Sequence, residues 1–256
     1  WLRIAPDNTV TINNARSEMG QDTYTTMAML IVEELDYPLN KVKVEIAPAN
    51  AIYINSLLGG QITGGSTSVR EAWDKLRLVG ATAKAQLKAA AAAKWNVPVS
   101  SINANLGILS SGKFHATYGE MATMAATIKV ATAPTLKSPQ EYRYIGKAFP
   151  RLDTPSKVNG TAVYGIDVRQ PDMLVASLAQ SPVISGKVKA VDSTATKAIK
   201  GVVAVVEIPD GVAVLAKDFY IAKKGRDALK IEWQQVDIKP FENMAAIEQG
   251  LRAAHQ

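Results

Sequence analysis

The 256-residue sequence contains no cysteine. That absence excludes disulfides, cysteine-ligated zinc, iron–sulfur ligation by this chain and a thiol nucleophile. Only two histidines occur, His115 and His255, so a histidine-rich metal site is excluded as well. Aromatic residues make up 6% of the chain, and none of them interleave with basic residues as a base-stacking platform would require. Long apolar runs are also missing. A membrane span needs about 18 such residues, and the Ala89–Ala93 run, alanine between two lysines, is far shorter. The first residue is Trp1, which suggests a processed or truncated chain.

What is present is ordinary globular composition: 47% hydrophobic, 20% charged, 17 glycines and 12 prolines. This length suits roughly two domains. The net charge of +6 is spread evenly, with 13 basic and 10 acidic residues up to position 140 and 16 and 13 beyond it. An even spread argues against nucleic-acid binding, which needs a stripe or cluster. Lys223–Arg226 and the Glu33–Glu34 pair both read as solvated helix surface.

Patterning predicts a strand over 8–13, a helix over 23–35 capped by Asp22 or Thr23, and a strand over 41–47. After an irregular stretch over 48–65, a long helix is expected from about 66–69 to Trp95. Its buried face would be Val69, Trp73, Leu76, Val79, Ala83 and Leu87, with Ser68 and Glu71 at capping-box spacing. A hairpin over 102–117 and a short helix over 118–126 follow. Four prolines between 131 and 160 mark a boundary or linker. Beyond it the expected strands are 161–168, 173–180, 186–192, 202–208, 212–216 and 230–233. Helices are expected at 193–200 with Ser193 as cap, at 218–228, and at 241–254.

Two segments carry chemistry. Gly20–Gln21 lies between a strand and a helix, where glycine permits close backbone approach and the helix start offers free N–H groups. The Gln21 amide can both donate and accept. Gly59–Ser68 holds four glycines and four hydroxyl residues just before the long helix, which suits an anion. No lysine follows these glycines, so the segment is not a Walker loop. A plain turn and a flexible, serine-capped loop remain the alternative readings of the two segments. If Ser68 caps the helix, Thr63 and Ser66 become the better ligand contacts. His115 has no carboxylate at a recognisable spacing, His255 falls at the frayed end of the last helix, and no catalytic acid–base pair stands out.

At these two segments the sequence resembles the molybdenum hydroxylases, the xanthine dehydrogenase and aldehyde oxidase relatives, in their isoquinoline 1-oxidoreductase and bacterial aldehyde dehydrogenase type. Ser17–Gln21 and Gly60–Arg70 carry the first part of the resemblance. Gly146–Gly160 and Ala162–Val168 carry the second, which is similar to the start of that family's α/β-hammerhead domain. The resemblance implies an α+β chain: a partial molybdopterin-binding α/β domain over 1–140, an α/β-hammerhead domain over 141–235, and a linker with a terminal helix over 236–256. It implies cofactor contacts at Gly20, Gln21, Gln61, Thr63, Gly64, Gly65, Ser66 and Ser68, with no catalytic or metal-ligating residue on this chain. Asp22 stands where the family has glycine, and its carboxylate would have to turn away from an anionic cofactor.

The implied cofactor is molybdopterin, often as the cytosine dinucleotide, and the implied reaction is hydroxylation of an aldehyde or N-heterocycle with water-derived oxygen. Implied partners are a [2Fe–2S] protein and the C-terminal remainder of the same polypeptide, without which this chain is expected neither to retain cofactor nor to turn over. Analogy places such proteins in the periplasm, with the cytoplasm as the alternative. A non-catalytic assembly module and a binder of phosphate ligands unrelated to molybdenum remain the rival readings.

Overall fold

The computed structural model describes residues 1–183, 185–234 and 243–255. The chain divides into two compact units, Trp1–Ala162 and Val163–Gln256.

The first unit begins with β1 (Leu2–Ile4) and β2 (Val10–Asn14), followed by α1 (Thr23–Leu35) and β3 (Lys43–Ile46). β2 is central: β1 pairs with it antiparallel, while β3 pairs with it parallel from Thr11↔Lys43 to Asn14↔Ile46. Parallel pairing requires a crossover, and α1 supplies it. The loop before α1 and the loop after β3 therefore both leave the carboxyl ends of adjacent parallel strands.

α1 buries the expected Met27, Leu30, Ile31 and Leu35. Burial of each such side chain contributes about 1.5–3 kcal/mol. Glu33 and Glu34, expected at the surface, are both 0% exposed. Glu33 accepts from the backbone N–H groups of Arg143 (2.9 Å), Tyr144 (2.7 Å) and Ile145 (3.0 Å), and pairs with Lys137 at 3.3 Å. Glu34 accepts from Arg77 Nη2 at 2.7 Å and from the Lys137 N–H. The proline-rich segment is thus no free linker. It folds over α1, and residues 141–162 pack with the first unit although the sequence reading gave them to the second domain.

The long helix α2 (Ser68–Trp95) buries Leu76 and Leu87 and ends at Asn96, in the left-handed region at φ 54°, ahead of Pro98. It runs in the same direction as α1. Thr26 and Val69 share one cavity, Gly80 lies against the Ile31 carbonyl, and Lys84 pairs with Asp36 at 2.8 Å. A Cβ at Gly80 would stand 2.1 Å from that carbonyl oxygen, so glycine sets the helix separation. The antiparallel strands β4 (Asn103–Asn105), β5 (Ile108–Ser111) and β6 (Phe114–Thr117) follow. Next come α3 (Tyr118–Ala125), with a Thr117/Glu120 capping box, and the short α4 (Thr154–Val158). The Tyr118 hydroxyl donates to the Leu35 carbonyl at 2.8 Å and so closes the end of α1.

In the second unit the strand expected over 161–168 does not form. Side chains there bind nearby backbone in place of a ladder: Asn159 accepts from the Thr161 N–H and Asp167 from the Tyr164 N–H, each at 3.0 Å. The strands present are β7 (Val175–Gln180), β8 (Val188–Asp192), β9 (Val202–Ile208), β10 (Gly211–Ala216) and β11 (Lys230–Trp233). The helices are α5 (Thr194–Lys197), α6 (Phe219–Asp227) and α7 (Met244–Ala254). They form a β7–β10–β9 sheet and a β11–β8 pair, all antiparallel. Val212, Val214, Ala216 and Ala222 make the buried centre. Asp218 caps α6 through the Ile221 N–H, whereas Ser193 makes no side-chain cap on α5. Phe241 and Glu242, expected in the last helix, lie outside the described residues. Among the described residues no helix is long and apolar enough to cross a membrane.

Candidate functional site

The loop over 15–22 and the loop over 47–67 meet. The Ser17 N–H donates to Thr63 Oγ1 at 2.9 Å, across 46 positions of sequence. Beside this contact lies a cavity of about 250 Å³ lined by Gln21, Asp22, Thr23 and Thr26 on one side and by Ser66, Ser68 and Val69 on the other. The starts of α1 and α2 therefore face one space from the same end. The start of α1 is already met by the Glu18 carboxylate, whereas the start of α2 keeps its partial positive charge toward this space.

Each expected residue has a definite place. Gly20 has φ +101°, and no atom lies within 4 Å of where its Cβ would stand, so the turn is open on that side. Gln21 is turned back on its own loop: its amide donates to the Ser17 carbonyl at 2.8 Å and accepts from the Met19 N–H at 2.6 Å. Gln61 likewise accepts from the Asn50 N–H at 3.2 Å and donates to the Ala47 carbonyl at 3.5 Å. Both glutamines thus hold loop shape. Gly64 faces open space, and Gly65 (φ +58°) and Ser66 (φ 51°) take left-handed conformations that reverse the chain into α2. Ser68 is the first helical residue and not the cap. The N-cap is Thr67, which makes no side-chain bond to the helix, so the expected Ser68/Glu71 capping box is absent. Ser68 is thereby released for a ligand, and the N–H groups of the first turn of α2 have no side-chain cap.

Asp22 is the N-cap of α1 in the left-handed region, also without a side-chain cap bond. Its carboxylate turns instead toward Arg151, with Oδ1 3.4 Å from Nε, too poorly aimed for a hydrogen bond. The capping expected of Asp22 or Thr23 falls to Glu18, whose carboxylate accepts from the N–H groups of Gly20 (2.8 Å), Asp22 (3.1 Å) and Tyr24 (2.9 Å). Burial works to raise the Glu18 pKa. The three backbone donors and Lys157 outweigh it and hold the pKa below the usual glutamate value.

Arg151 binds Glu18 at 3.1 Å and the Gly20 carbonyl at 3.0 Å, and is itself held by Asp153 at 3.1 Å. Asn55, 0% exposed, donates to Thr67 Oγ1 at 2.7 Å beneath the glycine-rich loop. Sequence reasoning passed over Glu18, Asn55, Thr67 and Arg151, because each acts on a partner that only the fold brings near. Glu18, two positions before Gly20, carried the one local signal. Among the described residues there is no cluster of metal-ligating side chains.

Open α/β sheets bind ligands at the carboxyl ends of their parallel strands, and an uncapped helix start there favours an anion. Residues 1–170 match the family model of the molybdopterin cofactor-binding domain, and the chain belongs to that family.

Among curated relatives, the chain is 32% identical over 271 residues to the beta subunit of isoquinoline 1-oxidoreductase from Brevundimonas diminuta, a match that covers 91% of this chain and 35% of that protein. It is 34% identical over 247 residues to a membrane-bound aldehyde dehydrogenase of Gluconacetobacter polyoxogenes whose name specifies pyrroloquinoline-quinone, covering 91% and 31%. It is 26% identical over 251 residues to a nicotinate dehydrogenase component of Pseudomonas putida, covering 94% and 20%. The chain spans about a third of the first two relatives.

The residues fit a phosphate-bearing pterin in one respect and resist it in another. The uncapped start of α2, the open face at Gly20 and the serines on the cavity suit oxyanions. The two glutamine amides are already satisfied and would have to leave their partners to read a ring edge.

Proposed function

We propose that the chain forms one wall of a molybdopterin site in a molybdenum-dependent oxidoreductase, with Gly20, Thr63, Gly64, Gly65, Ser66 and Ser68 against the cofactor and Gln21 and Gln61 shaping the loops. The supporting observation is the Ser17–Thr63 contact, which brings both loops onto one cavity. In this reading the Ser66 and Ser68 hydroxyls and the first N–H groups of α2 donate to phosphate and pterin oxygens. Arg151 stands 3.4 Å from the Asp22 carboxylate and offsets its charge beside an anion. The chain binds and orients, and supplies no proton-transfer group. When bound, the cofactor supplies the redox centre at which a substrate carbon is hydroxylated with oxygen from water.

The finer parts of the proposal are the cytosine dinucleotide form, an aldehyde or N-heterocycle as substrate, a [2Fe–2S] partner protein and a periplasmic location. The second unit is read as the α/β-hammerhead domain, and the length that the relatives have beyond this chain as the opposite wall. The test is metal and pterin analysis of a full-length protein containing this chain. Thr63→Ala combined with Ser66→Ala is expected to lower molybdenum and pterin content together at unchanged folding. Full content in that variant, or a quinone in place of the pterin, overturns the proposal.

A further inference from the structure

We propose that the buried Arg16–Glu71 ion pair is the positioning element that fixes the spacing of the two loops, so that one anion can be held by both. The proposal rests on the cofactor reading above.

Arg16 is the residue immediately before Ser17, and Glu71 lies in the first turn of α2, just after Ser66 and Ser68. Their side chains are each 1% exposed, with Nη2 2.6 Å from Oε2. The pair gathers further segments. Arg16 Nη1 donates to the Tyr53 carbonyl at 3.3 Å, and Glu71 Oε1 accepts from the Ser56 N–H at 3.3 Å and the Ser56 hydroxyl at 3.2 Å. One guanidinium and one carboxylate therefore tie the end of β2, the 53–56 loop and the start of α2.

Stability alone does not account for this arrangement. Burying two charges costs their hydration, and an apolar pair of similar volume often serves as well or better. Arg16 Nε is also left without a hydrogen-bond partner among the described residues, so the pair does not satisfy all of its own donors. What it supplies is direction: one rigid guanidinium plane reaches Glu71 through Nη2 and the Tyr53 carbonyl through Nη1, so both partners are held at a fixed separation. That separation sets where Ser17 and Ser68 stand relative to each other. Glu71, three residues after Ser68, faces Arg16 instead of returning to cap its own helix.

The test uses the full chain with Arg16→Met and Glu71→Leu combined. Three quantities are read: the melting temperature, exchange of the Ser17 amide relative to Asn13, and amide shifts of Ser66 and Ser68 on titration with inorganic pyrophosphate. The Asn13 amide bonds the Trp1 carbonyl and reports on the fold itself. The expected result is a melting temperature at or above the parent's, with Ser17 protection and pyrophosphate affinity each falling about tenfold, the loss of one charged hydrogen bond.

Parent-like Ser17 protection in a folded double variant overturns the proposal. Should the double variant not fold, Glu71→Gln, which keeps the volume and removes the charge, decides by the same readouts. If the parent itself does not bind pyrophosphate, Ser17 exchange alone decides whether the pair sets loop spacing, and the cofactor reading is decided separately by the metal and pterin analysis above.

Discussion

Glu18→Gln is expected to destabilise the chain by about 2–3 kcal/mol near neutral pH. The parent carboxylate accepts from three backbone N–H groups at 2.8–3.1 Å and from Arg151 at 3.1 Å, with its side chain only 11% exposed. Hydrogen bonds to a charged group contribute about 1.5–3 kcal/mol each, and they do not add within one cluster. A glutamine can keep its acceptor oxygen where Oε1 takes Gly20, Asp22 and Arg151 and turns its NH₂ toward the Tyr24 N–H and the Thr23 hydroxyl, so the Oε2 bonds are lost and the remaining ones lose their charge. Arg151 retains Asp153 and Asp22, and no charge is stranded. That keeps the loss below the ~3–5 kcal/mol of a fully broken buried pair.

Urea melts give the free energy, and a thermal melt is expected to fall by roughly 5–10 °C for a chain of this size. The pH dependence has a definite sign. Folding lowers the Glu18 pKa, so its stabilisation is complete above the ordinary glutamate range and is lost as pH falls through the depressed folded value. The gap between parent and variant is therefore flat above about pH 5 and closes in acid. A gap under about 0.5 kcal/mol, the size of a surface effect, refutes the reasoning. So does a gap that widens on acidification.

Three further substitutions probe other joints. Glu33→Ala is expected to cost about 3–5 kcal/mol in urea unfolding, since it removes the acceptor of three backbone N–H groups and a partner of Lys137. Limited proteolysis is expected to cut first within 137–145. Gly80→Ala is expected to lose about 1–3 kcal/mol by overpacking against the Ile31 carbonyl, despite alanine's higher helix propensity. A stabilised variant would contradict the close approach of α1 and α2. Gly20→Ala is expected to lose about 1–2 kcal/mol in a thermal melt, from backbone strain alone, because its Cβ meets nothing.

Local elements were largely legible in the sequence. Helix α1, β9 and β11 fall where periodicity places them, and the glycine-rich loop ends where α2 begins. What escaped was whatever depends on a distant partner. Glu33 and Glu34 read as surface because an amphipathic pattern counts polarity on one helix. α1 is covered on more than one side, and the carboxylates are satisfied by residues 43 to 112 positions away. Glu71 read as half of a capping box because Ser68 stands at the right spacing, while its real partner lies 55 residues upstream. The strand expected over 161–168 failed for a different reason: Asn159 and Asp167 offer the backbone nearby acceptors that a count of β-branched residues does not weigh.

The site itself was legible only as two separate weak signals. A Gly-Gln turn is common, and so is a glycine-rich loop before a helix. What makes them one site is the parallel pairing of β2 with β3, which puts the carboxyl ends of both strands side by side and sends both following loops the same way. Each strand in a parallel pair exports its loop at the same edge of the sheet. Open α/β sheets take their ligands at such an end, where two loops can be shaped independently. Gln21 and Gln61 each close their own loop on the backbone, although Gln21 also lines the cavity. Sequence motifs of this kind record both what a loop presents and what keeps the loop in shape, and only the hydrogen bonds distinguish the two.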